Sequence, residues 1–173
     1  MSENPAVMDR REKRAAVRRV LMYWGNISRA RRDNETRISE IEQEIAALYD
    51  VQAQQFTGMP HGTSISDPTY HRATCNTSLI AGLQAEKALL QEENARFDRD
   101  GELIRHEVLC LPPLESEVIE LRYCRFGYAK KDYWARIAAR VHASVDNAKK
   151  LERKGVDELT KHITVKLDTI GHE

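Results

Sequence analysis

The chain has 173 residues, of which 41% are hydrophobic and 31% charged, with only 8 glycines and 5 prolines. This mixture is too apolar for a wholly disordered chain and favours helix over sheet, and the length fits one domain or a small domain carrying a helical arm. A formal net charge of zero excludes a uniformly basic chain.

The average hides a distribution. Met1 to Asn34 carries 9 basic and 4 acidic residues, Glu35 to Glu120 carries 6 and 16, and Leu121 to Glu173 carries 12 and 7. Basic ends therefore flank an acidic middle, which leaves two candidate phosphate-facing surfaces. Cys75, Cys110 and Cys124 are three cysteines with wide gaps, so they do not form a disulfide framework and fit free thiols in a reducing cytosol. No apolar run approaches the ~20 residues needed to cross a membrane. The N-terminus has charges without an apolar core, so it does not read as a signal peptide. The expected location is cytoplasmic.

The first periodic stretch runs from about Asp9 to Gln55. Val17, Val20, Trp24, Ile27, Ile38, Ile41, Ile45 and Leu48 follow spacings of three and four, the mark of a long helix with a coiled-coil-like stripe. Extending the register puts Arg31 and Asn34 on the seam. Asp33 and Asn34 either cap a second helix or mark a register-setting polar step within one helix. Phe56 to Pro68 gathers glycine, proline, serine and aspartate and reads as a loop. From Thr69 to about Leu111 a seven-residue repeat returns through Ile80, Leu83, Leu90, Phe97, Ile104 and Val108. Lys87, Asn94 and Gly101 fill the remaining seam positions, and Asp98 to Gly101 reads as a kink or a helix boundary. Two such stretches joined by a loop predict an antiparallel helical hairpin. The narrow stripes would leave apolar surface uncovered, which points to a homodimer. Pro112 and Pro113 end this region, giving an expected division at 111/112.

Three short helices are predicted beyond it. The first covers Leu114 to Tyr123, with Val118, Ile119 and Leu121 inward, and a loop passes through Phe126 and Gly127. The second covers about Lys131 to Val141, with Trp134, Ile137, Ala138 and Val141 inward. Ser144 is a natural N-cap for a third helix from Val145 to about Ile163, with Ala148, Leu151, Val156, Leu159 and Ile163 inward. Short helix, tight turn and capped longer helix form the helix-turn-helix layout. The whole is expected to be all-α, a long helical hairpin over 1–111 followed by a small helix-turn-helix domain over 112–173. The residues expected at DNA are Ser144, Val145, Asp146, Asn147, Lys149, Lys150, Arg153 and Lys154. Lys149 and Lys150 suit phosphate or guanine, Asn147 suits adenine, and Arg153 and Lys154 suit phosphate. Asp146 either faces the groove or complements the helix dipole.

The last third of the chain resembles region 4 of bacterial sigma factors. The resemblance rests on Glu117, Val118, Ile119, Leu121, Arg122 and Tyr123, then on the run from Ser144 through Ala148 and Leu151 to Leu159. That family typically has arginine where Val145 and Asn147 stand, so sigma-type promoter preference is not expected, and no second, core-polymerase-binding region is visible. The whole layout, with Ser66 to Thr69 reading SDPT, resembles phage transcriptional regulators of the ArpU and RinA type. That resemblance implies a DNA-binding activator of late phage genes in a bacterial host cell, with double-stranded DNA and bacterial RNA polymerase as partners. The alternatives are a DNA-packaging protein like a small terminase subunit, or a polymerase-binding adaptor. No ligand spacing joins the six histidines to the cysteines, no phosphate-cradling glycine loop is present, and no serine, histidine and acid constellation stands out. Neither an enzyme nor a cofactor is expected.

Overall fold

The computed structural model describes residues 9–55, 68–126 and 132–162. It is all-helical, and the described residues contain no strand. Helix α1 spans Arg10–Gln55, α2 Pro68–Leu109, α3 Pro113–Glu120, α4 Tyr133–Arg140 and α5 Val145–His162; a π-helical turn, Leu121–Arg125, follows α3 directly. The loop expected at Phe56 to Pro68 lies outside the described residues, apart from Pro68 at the first position of α2. A proline is tolerated there because the first-turn N–H has no intrahelical partner.

Both open points in the long helices resolve to continuity. Helix α1 passes Asp33 and Asn34 without a break, and α2 passes Gly101 without ending. The chain divides into two compact units, one holding residues up to Ser28 with Phe97 onward, the other Arg29–Arg96.

In the Arg29–Arg96 unit the two helices run antiparallel. Asn34 Nδ2 donates to Asn94 Oδ1 at 3.1 Å and to Glu93 Oε2 at 2.9 Å. Arg37 forks onto Glu86, and Lys87 reaches Glu42 at 2.6 Å. The Asn34–Asn94 pair joins two half-buried seam positions, a polar step of the kind that sets register in coiled coils. Among the described residues of this unit, Ile41 and Ile80 are the buried hydrophobics, while Leu79 and Leu89 stand exposed.

The other unit holds two clusters separated by α3 and the π-turn. Ile119 and Tyr123, four residues apart, face one way and join Val17, Val20, Leu21, Ile104, Val108, Leu111, Val156 and Leu159. Val118 and Leu121, three apart, face the other way and join Ile137, Ala138, Val141 and Ala148. Leu111–Pro112 does end a helix, but the compact unit continues across it. Val156 and Leu159 of α5 pack with α1 and α2, not within a separate three-helix domain. Leu21, fully buried, is a core residue that the spacing had passed over. Gly101 lies against Ile27, where a Cβ would sit 3.6 Å from the Ile27 side chain. Tyr23 Oη donates to the buried Asp100 at 2.7 Å.

Candidate nucleic-acid interface

The turn between α4 and α5 is set by backbone chemistry. The Ala143 N–H donates to Ala138 O at 2.9 Å and the His142 N–H to Ala139 O at 3.4 Å. His142 takes the left-handed conformation with φ 50. A 6→1 bond nested over a 5→2 bond around one left-handed residue is the Schellman motif, with histidine in the place that usually holds glycine. Two residues later Ser144 Oγ accepts the Asn147 N–H at 3.2 Å, the expected N-cap. One helix is thus closed and the next opened within three residues. The helices meet where Ile137, fully buried, and Ala138 pack with Ala148, and Leu151 closes over them half-buried.

The structure differs from expectation at the edges of these helices. The first ends as α-helix at Glu120 and continues as the π-turn, where the Phe126 N–H reaches Leu121 O at 2.8 Å. Helix α4 begins at Tyr133, after Asp132 with φ 58. Gly127, Lys131 and Ile163 lie outside the described residues.

The eight expected DNA-contacting residues all fall on the front of α5 or its cap. Ser144, Asp146, Asn147, Lys150, Arg153 and Lys154 are exposed; Lys149 is half-buried, and Val145 is 36% exposed. They do not share one face. Asp146, Lys150 and Arg153 are spaced four and three apart and form the outward stripe. Asn147 and Lys154, seven apart, lie on one side of it, and Val145 and Lys149 on the other. Among the described residues, no carboxylate pairs with Lys149, Lys150, Arg153 or Lys154, whereas Lys161 further along α5 is paired with Glu158 at 2.6 Å. The front of α5 thus presents cations free to meet an external anion, and its last turns do not.

What holds α5 in place was not legible in the sequence. Glu152, on the basic front half of α5, is buried with only 6% of its surface exposed. Arg18 of α1 grips it with two bonds of 3.1 Å, and Tyr123 Oη donates to it at 2.8 Å. Burial, together with the Glu152 carboxylate, drives the Tyr123 hydroxyl well above its ordinary pKa, so it stays a donor. One turn on, Asp157 accepts from Arg14 through both Nε and Nη2 and from Arg10 at 3.4 Å. Hydrogen bonding to Arg14 holds the Asp157 carboxyl below its ordinary range, against a smaller desolvation effect. Two arginine-carboxylate pairs therefore tie α5 to α1 at two levels. The basic N-terminal segment, read from the sequence as a candidate phosphate-facing surface, has Arg14 and Arg18 engaged in pairs within the chain.

Gly155 permits the close seating of α5 on α3, because a Cβ there would come within 2.7 Å of the Ile119 side chain. Cys75, Cys110 and Cys124 are exposed free thiols. Among the described residues, no cluster of His, Cys, Asp and Glu has the arrangement to hold a metal ion, and no helix is long and apolar enough to cross a membrane. Comparison of the chain with protein-family models, with curated proteins and with solved structures found no match.

Proposed function

We propose that the protein is a sequence-specific regulator of transcription that reads double-stranded DNA with the front of α5. The observation that carries this reading is the tight α4–α5 turn, closed by its Schellman bonds and the Ser144 cap, which leaves an outward stripe of Asp146, Lys150 and Arg153 with unpaired cations on both sides. A helix entering the major groove contacts bases with its first turns, and asparagine and lysine there match adenine and guanine edges. The sequence resemblance to ArpU- and RinA-type regulators supports the finer reading, an activator of late phage genes acting beside bacterial RNA polymerase. The thin seam of the Arg29–Arg96 unit, with Leu79 and Leu89 exposed, supports action as a homodimer.

Footprinting over promoters and packaging sites beside the gene, joined to reporter assays, tests the function. Protection upstream of a late operon with activated transcription is the expected result; protection confined to a packaging site would overturn the transcriptional role. At residue level, Lys149→Ala and Lys150→Ala should each weaken binding, and a phosphate contact should lower the salt slope by about one. If affinity and slope both stay at wild-type values, α5 is not the reading helix.

A further inference from the structure

A depression of about 300 Å³ opens on the flank of α5 that carries Lys149 and Arg153. Arg18 and Met22 of α1 form one wall, and Arg122 and Trp134 line it from the π-turn and α4. The carboxylate of Glu152 also lies here, but it is already bound by Arg18 and Tyr123. That leaves Arg122, Lys149 and Arg153 as three cations around one hollow, with no carboxylate partner among the described residues. Arg122 is held in place by aromatic rings, its guanidinium 4.2 Å from the Tyr133 centroid and 5.9 Å from that of Trp134. Held this way it keeps its N–H donors available, since a stacked guanidinium donates in its own plane.

We propose that this depression seats a backbone phosphate of duplex DNA, which makes α1 and the π-turn part of the DNA interface. The inference rests on α5 being the reading helix. A helix about 10–12 Å across fills a major groove about 12 Å wide, so its flanks meet the phosphate strands that border the groove. The depression is on such a flank, bordered by Arg153 of the outward stripe. Like charges lining one hollow repel one another, and an anion seated between them offsets that repulsion. Because a phosphate contact carries no base information, the seat adds affinity for any sequence alike.

Met22 tests the seat without touching the fold, because it lies on the rim and is 54% exposed. The assay is fluorescence anisotropy of the full chain on a mixed-sequence 30-base-pair duplex at low salt, where binding is sequence-independent. Met22→Glu should weaken binding about tenfold and Met22→Lys should tighten it, both with wild-type melting temperatures. Arg122→Gln should lose affinity several-fold and flatten the salt slope by about one. If both Met22 variants bind as wild type while Lys150→Ala still weakens binding, the seat is wrong and the role of α5 survives. If the wild-type chain has no measurable affinity for the duplex, both readings fall. Calorimetric titration with inorganic phosphate separates the other source of the anion. Submillimolar binding to the wild type, lost in Met22→Glu without any change in duplex affinity, would assign the depression to a free phosphate ligand and overturn its place at DNA.

Discussion

Gly25→Ala sets two physical effects against each other with opposite signs. Gly25 lies inside α1, where alanine is favoured over glycine by about 1 kcal/mol. Tertiary packing opposes the change. A Cβ at position 25 would lie 2.1 Å from the backbone oxygen of Tyr123 and 2.9 Å from its carbonyl carbon. Ordinary carbon–oxygen contact is more than an ångström longer than the first of these distances. The obstacle is main chain within the π-turn, so no rotamer change can clear it. Either α1 or the π-turn has to move by about an ångström, loosening Leu21 and Tyr123 in the core they share. Overpacking of this kind costs about 1–3 kcal/mol and sometimes more. With main chain as the obstacle the upper part of that range applies, so after the helical gain a net loss of about 2 kcal/mol remains. Gly82→Ala is the matched control: it too is inside a helix, but nothing lies within 4 Å of its Cβ position. It should gain about 0.5–1 kcal/mol. Urea denaturation followed by circular dichroism should move the midpoints in opposite directions. If Gly25→Ala proves as stabilising as Gly82→Ala, the close approach of α1 to the π-turn is refuted.

Three further outcomes follow from the α4–α5 turn and its anchors. Ile137→Asp places a carboxylate where the side chain is fully buried among Val118, Ala138 and Ala148, and should cost more than about 4 kcal/mol, abolishing the cooperative unfolding transition. Ser144→Ala removes the cap on the Asn147 N–H and should lower stability by about 1 kcal/mol, read as a lower melting temperature with native helix content. Asp157 titrates below its ordinary value because of Arg14, so the unfolded chain binds this proton more readily than the folded one. Its contribution is therefore complete above the unfolded value of about 3.9 and is lost as pH falls toward the lower folded value. Asp157→Asn should remove that part of the acid sensitivity, so that wild type and variant converge in stability as acid titration proceeds; parallel curves through that range would contradict the Arg14 pairing.

Much of the helical layout was legible in the residue spacing, for reasons that are local. Apolar residues every three or four positions need a helix to share a face. Pro112 and Pro113 cannot continue one, and Ser144 ahead of a helix-forming run supplies the oxygen that a first turn lacks. The Schellman turn at His142 was not legible, because histidine carries no signal for a left-handed conformation. The continuity of α1 through Asp33 and Asn34 was undecided for a similar reason: either residue can cap a helix or sit within one. What resolved it is the partner across the seam, Asn94, which answers Asn34 at 3.1 Å.

The front of α5 was visible as a candidate because exposure follows from helical phase once Ala148 and Leu151 are fixed inward. Sequence alone thus determined where most of the helices lie, the place of the turn between the last two though not its conformation, and the eight residues between Ser144 and Lys154 that face outward or flank the core. Tertiary structure decided which charges remain available. Arg14, Arg18 and Glu152 look in the sequence like Lys149, Lys150 and Arg153, ordinary charges on amphipathic helices. Arg18 lies 134 residues from Glu152 along the chain and Arg14 lies 143 from Asp157, so no local pattern pairs them. Only the packing of α1 on α5 turns two arginines into anchors, buries a glutamate between Arg18 and a tyrosine, and leaves the neighbouring cations facing outward. Pairing over such separations depends on the fold having closed, and that is information the residue order carries only through the folded chain.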